Sequence, residues 1–333
     1  MSQEKFLNNL DEINIDITWC HWNRLGVTGP GKLNQCSTDP EALILLTSIA
    51  GKKDLRLVDG MMTWLHHYES LISIERLKSY VRELLSKKTT THENFTILQN
   101  TIAELNSKRW DSVSKLFNNN PSHSSSSDKS HESRKKLEAH NTIIRKNLQL
   151  FLRRMFGVGT RADIIYYSMV VSEQQKNPFN LFISAPQMAE ALHYNHSSIH
   201  RTLYDLDQAG ILTVDSRKIG KNKIFHLNPD IMNIDQGRGH KPLRDKYYID
   251  WFKIVEIFIQ SEQFKKQIQN TMDDSIKKSR LNGFLKSCSV LTAEAFIDVK
   301  NSLMNTQALK HVGFDKLEAD ILSSVQGIYE FVT

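Results

Sequence analysis

The sequence predicts a mainly α protein: a helical N-terminal domain, a central group of helices closed by one two-stranded hairpin, and a helical C-terminal region. Three observations predict this class. Apolar residues recur at helical spacing through most of the chain. Only "ILTV" and "KIFHL", around residues 211–227, carry the β-branched or alternating pattern of strands. Between the first helices and the rest, residues 118–133 read "NNNPSHSSSSDKSHES", without one aliphatic or aromatic side chain.

Residues 1–117 read as the helical domain. Asn14 to Leu25 carries Ile15, Ile17, Trp19 and Trp22 in a mixed helical pattern. In "STDPEALILLTSIAGKKD", Asp39 is an N-cap and Pro40 the first helical residue. Glu41 favours the positive helix end, and Gly51 closes the helix. Asp54 to Tyr68 follows, with Leu55, Val58, Met62 and Leu65 in register. Ser73 caps a helix repeating Ile74, Leu77, Val81 and Leu84, and Ile97 to Leu105 adds one more. The stretch 118–133 cannot bury enough surface to offset its ordering entropy and reads as a flexible linker.

Residues 134–159 read as a basic helix. Arg134, Lys135, Lys136, Arg145, Lys146, Arg153 and Arg154 face Glu138 alone, a balance of +6 that equals the formal charge of the whole chain. Two readings stand: a phosphate-contacting helix, or an amphipathic helix lying on another surface. Residues 160–230 follow as one unit. Thr160 caps its first helix, with Asp163 at the capping-box position. "SAPQ" at Ser184 to Gln187 is a capping box with Pro186 in the first turn. "HYNHS" breaks the pattern, and Asn195 or Ser197 can cap the next helix, where Ile199, Leu203 and Leu206 form a buried stripe. Gly210 ends it. "DSRKIGKN" is read as the turn of the hairpin. Residues 245–333 return to helix, and "YYIDWFKIVEIFIQ" is apolar nearly all round, which predicts a buried helix or a dimer interface.

The order in Ser184 to Leu227 resembles the winged helix-turn-helix domain of bacterial transcriptional regulators of the MarR- and ArsR-like class. That resemblance implies that Asn195 to Ala209 enters the major groove while the hairpin lies along the backbone. The implied DNA-binding residues are Asn195, His196, Ser197, Ser198, His200, Arg201 and Tyr204 on the helix, with Arg217, Lys218, Lys221 and Lys223 on the wing. An Arg at such a place suits guanine and the lysines suit phosphates. "FGVGTRADII", with "RLGVTGPGK" and "STDPEALILLTSIAG", is similar to bacterial winged-helix proteins encoded beside nucleotidyltransferases of abortive-infection and toxin–antitoxin loci. This second resemblance implies a regulatory or antitoxin role in phage defence.

Other chemistries find little support. "GVTGPGK" matches G-x-x-x-x-G-K, but Leu33 stands where a P-loop needs Ser or Thr, so an exposed turn is expected. Cys20, His21, Cys36, His66 and His67 lack paired metal-ligand spacing; buried cysteines and half-exposed histidines are expected, with no metal and no cofactor. No nucleophile motif is present, so the protein is not expected to be an enzyme. Three scattered cysteines and a polar N-terminus point to a reducing cytoplasm, and the nine-residue run "ALILLTSIA" is too short to span a membrane. The net charge of +6 is compatible with a polyanion partner.

The expectation is a sequence-specific DNA-binding transcriptional regulator, autoregulatory, with double-stranded DNA as partner and a homodimer formed through residues 245–333. A helical lid packed on its own chain is the alternative for those residues. The alternative function is a protein-binding antitoxin or adaptor acting on the product of a neighbouring gene, such as a nucleotidyltransferase, through the N-terminal helices or "WFKIVEIFI". A plasmid replication initiator is the third.

Overall fold

The computed structural model describes residues 3–30, 38–87, 90–117, 137–174, 184–219, 222–228, 248–269, 271 and 273–295. The linker 118–133 and the connector 230–244 therefore lie outside the described residues. Within them the chain is mainly helical, with one two-stranded antiparallel sheet.

The N-terminal helices are α1 (Gln3–Arg24), α2 (Pro40–Ala50), α3 (Leu55–Tyr68), α4 (Ile74–Ser86), α5 (Thr96–Leu105) and α6 (Asp111–Ser114). Asp39 caps α2 by accepting from the amides of Glu41 and Ala42 at 3.0 and 3.1 Å. Every residue of α2 is buried, so this helix is the axis of the first core. Trp19, Trp22, Trp64 and Trp110 pack around it, and each indole N–H finds an acceptor: Asp54, Thr47, the Leu25 carbonyl and Glu69.

"GVTGPGK" is only partly an exposed turn. Thr28 and Pro30 are exposed, but Gly26 and Val27 are buried, and Val27 forms an isolated bridge to Leu137. Gly26 sits at φ 84°, and a Cβ there would lie 2.5 Å from Ile143. The glycine serves close packing. His21 departs from the expected half-exposure too: it is buried, with Nδ1 2.8 Å from Thr38 Oγ1 and its ring against Trp251. His66 and His67 are exposed, and among the described residues no cluster could hold a metal ion.

The basic stretch is not one helix. It breaks at Asn147 into α7 (His140–Lys146) and α8 (Leu148–Phe156), and the Asn147 side chain caps α8 by accepting from the Leu150 amide at 3.0 Å. An Asn prefers that role to a helix interior, because its side chain competes for backbone groups. Helix α8 joins two cores. Leu150 enters the first, while Leu148 and Leu152 enter the second.

That second core holds α9 (Thr160–Gln174), α10 (Ala185–Leu192), α11 (His196–Gln208), β1 (Leu212–Ile219) and β2 (Asn222–Leu227). Met188, Leu192, Ile199, Leu203, Leu206, Leu212 and Phe225 fill it. The strands are longer than expected. They pair from Leu212–Leu227 to Ile219–Asn222, with an irregularity between Asp215 and Lys218, so most of "DSRKIGKN" is strand rather than turn.

After Tyr248 come α12 (Trp251–Gln269) and α13 (Asp274–Ala295). Trp251, Phe252, Ile254, Val255, Ile257, Phe258 and Ile259 are buried in the first core, together with the N-terminal helices. The apolar side chains of "WFKIVEIFI" are therefore covered within the chain itself; residues 296–333, the end of the expected dimer or lid region, lie outside the described residues. No described helix is long and apolar enough to cross a membrane.

Candidate nucleic-acid interface

Helix α11 has two unlike sides. Ile199, Thr202, Leu203 and Leu206 are buried, while Asn195, His196, Ser197, His200 and Arg201 are exposed. Burying three aliphatic side chains fixes the rotation of the helix, at about 1.5–3 kcal/mol each. Ser198 and Tyr204 are half-buried. Asn195 starts the helix, its Oδ1 accepting from the Ser197 amide at 2.8 Å, so part of its hydrogen-bonding capacity is spent on the cap.

The exposed side carries a row of rings. His196 and His200 lie 6.1 Å apart, His200 and Tyr204 4.8 Å, and Tyr204 meets Phe225 of β2 edge-on at 5.7 Å. Lys223 Nζ stands 4.7 Å above the Tyr204 ring, so one hairpin cation is placed beside α11 by a cation–π contact. Of the other hairpin cations, Arg217 and Lys218 lie on β1 with side chains outside the described set, and Lys221 is outside it altogether. Thus His196, His200, Tyr204 and Lys223 come together, with Arg201 exposed on the same helix. Phe225, which orients Tyr204, was missed; its place in an alternating strand was the available signal.

The basic stretch 134–159 contributes less than its charge suggested. Arg153 is fully buried, Lys146 pairs with Glu138 at 2.7 Å, and Arg154 is exposed. Residues 134–136 and the Arg145 side chain lie outside the described set.

What positions α11 is a buried polar network that sequence reasoning did not anticipate. Arg153 of α8 uses all five N–H groups. Nη1 and Nη2 donate to Glu41 at 2.7 and 2.9 Å. Nε and Nη2 donate to Asp163 at 2.9 Å each, and Nη1 also reaches the Leu71 carbonyl at 2.9 Å. Glu41, read as a dipole partner, and Asp163, read as a capping-box residue, are instead its buried counter-charges. Burial pushes the Glu41 carboxyl up against the pull of Arg153. Burial also opposes ionisation of Asp163, but Arg153 outweighs it and holds this carboxyl below the usual range. A lone charge in the otherwise uncharged, mostly apolar "PEALILLTSIA" was the signal available in the sequence.

The turn before α11 is tied to the first core at Leu192, His193 and Tyr194. The Leu192 carbonyl accepts from Arg76 Nε at 3.0 Å. The Tyr194 hydroxyl lies 2.7 Å from both Ser73 Oγ and Asp163 Oδ2. His193 adopts a left-handed conformation, φ 54°, with Nδ1 3.1 Å from Glu83 and Nε2 3.4 Å from Asp250. Its ring packs between Tyr80 and Phe252. Burial lowers the His193 pKa, but the two carboxylates outweigh it and hold the imidazole above its ordinary 6.5. The N-terminal helices therefore set the pose of α10 and α11.

No family model, curated protein or solved structure matches the chain.

Proposed function

We propose that the protein is a cytoplasmic, sequence-specific DNA-binding regulator of the winged-helix class that acts on its own locus. The observation that carries this reading is α11. Its aliphatic side is buried, and residues 195–204 include no acid. Arg201 and two histidines are exposed on its outer side, and Lys223 flanks them from the hairpin. Such a helix suits the major groove, where its first two turns meet base edges, while a hairpin lysine suits a phosphate. Asp205 and Asp207 sit in its last turn, away from those first turns. Asp207 Oδ1 accepts from the Val214 amide at 3.2 Å, which ties the helix end to the hairpin.

The antitoxin or adaptor reading keeps the N-terminal helices as its docking surface, whereas the apolar side chains of α12 are already buried within the chain. Binding of the full chain to DNA from the region upstream of its own gene, with and without Arg201→Ala, tests the proposal. The substitution is expected to cost about 1–3 kcal/mol and to relax base preference at one position. An Arg201→Ala protein that keeps both affinity and base preference refutes the assignment of α11 as the reading helix.

A further inference from the structure

A pocket of about 480 Å³ opens between the end of α4, α12 and α13, on the first core and apart from α11. Three lysines from three different segments line it: Lys87, Lys253 and Lys286. Two carboxylates stand against them: Glu256 in the lining, 2.6 Å from Lys87, and Glu83 outside it, 3.9 Å from Lys87 and within the field of Lys253. The three lysines exceed these two acids by one charge. Ser287 stands on the α13 wall, and beside it Gly283 leaves open space among the described residues, where a Cβ would meet none of their atoms within 4 Å.

We propose that this pocket binds a small phosphorylated effector of nucleotide size. The volume lies in the range of ligand sites, about 300–1,000 Å³. The lining cations are all lysines. A flexible ammonium acts as a point charge that adapts to a phosphate, whereas a planar carboxylate is better matched by the arginine fork, which this pocket lacks. The pocket also has a short route to the reading helix. Lys87 Nζ lies 3.9 Å from Glu83, and Glu83 holds His193 in the turn before α11. A ligand charge that draws on Lys87 is thus two contacts from that turn.

Calorimetric titration of the full chain with AMP, ADP and inorganic pyrophosphate tests the site without any DNA, so its outcome is independent of the DNA-binding proposal. At least one probe is expected to bind saturably at one site. Lys253→Ala and Lys286→Ala should each weaken it about tenfold, the scale of one charge-assisted contact. Gly283→Glu, which sets a carboxylate into the open space, should abolish it, and Gly283→Ala should retain it. Lys286 is exposed, so its substitution leaves the fold intact even where Gly283→Glu does not, which thermal melting would show. Absence of saturable binding for all three probes, or binding unchanged in both lysine variants, overturns the proposal.

Discussion

Replacing Arg153 by Met tests the buried network most sharply. Met fills the volume of the aliphatic stem but removes five N–H donors, leaving the buried Glu41 with Arg76 at 3.5 Å and the buried Asp163 with only the Tyr194 hydroxyl and the Gln149 amide at 2.7 and 3.0 Å. Breaking one buried pair costs about 3–5 kcal/mol. The variant can limit that cost by protonating a carboxyl. With an ordinary value near 4.3, protonation costs about 3.7 kcal/mol at pH 7 and about 1 kcal/mol at pH 5. The loss should therefore be about 3–5 kcal/mol at pH 7 and smaller by about 2–3 kcal/mol at pH 5. In the wild type the Asp163 carboxyl is held down, so its contribution is present above the ordinary aspartate value and is lost only as pH falls through the lower folded value. That window lies below pH 5, so Asp163 keeps the wild-type reference level in the range compared. The Glu41 carboxyl is held up instead and favours the wild type as pH falls, so the shrinkage of about 2–3 kcal/mol is an upper figure. Urea unfolding followed by far-UV circular dichroism at both pH values measures the difference. A loss under about 1 kcal/mol at pH 7, or one that does not shrink at pH 5, refutes the reasoning that the two acids are ionised counter-charges of Arg153.

His193→Asn keeps a residue tolerant of the left-handed conformation but removes the imidazolium between Glu83 and Asp250. Because the folded value is raised, the stabilisation is full below about pH 6.5 and fades as pH rises through that folded value, so melting curves of the two proteins should converge at alkaline pH; a gap that widens with pH contradicts the pairing. Gly210→Ala should cost about 1–2 kcal/mol, because φ is 70° and nothing crowds the site, so the penalty is conformational alone. A gain in denaturant midpoint, the usual result of Gly→Ala at an unstrained position, counts against the left-handed end of α11. Leu203→Ala empties a fully buried position between α11 and α9 and should lower stability by about 2–5 kcal/mol in chemical unfolding; a change under about 1 kcal/mol places Leu203 outside the core.

Local signals were legible wherever the chemistry is local. The Asp39 cap, the Ser184–Gln187 box and Gly210 placed their helix ends, because each uses atoms within a few residues, and of the two caps the sequence offers α11, Asn195 and Ser197, Asn195 is the one used. The face of α11 followed from the spacing of Ile199, Leu203 and Leu206. What stayed hidden is what covers a face. Periodicity says that α12 is apolar all round; it does not say that the N-terminal helices are the cover. Charge counting left Arg153 either contacting phosphate or lying on another surface of the chain, and could not choose, because its partner Glu41 stands 112 residues away in sequence. Nothing local distinguishes an exposed arginine from one neutralised across that separation. His193 is the same case: its left-handed turn and its carboxylate partners come from tertiary packing of α4 and the residues before α12.

The central claim is that α11 and the hairpin bind duplex DNA, and the most direct test is the salt dependence of binding for wild type and Lys223→Ala, measured by fluorescence anisotropy on the same upstream DNA. The account predicts measurable wild-type affinity at low salt, falling linearly on a log–log plot, with a slope shallower by about one unit in Lys223→Ala. No wild-type binding at low salt, or an identical slope in the variant, would contradict it.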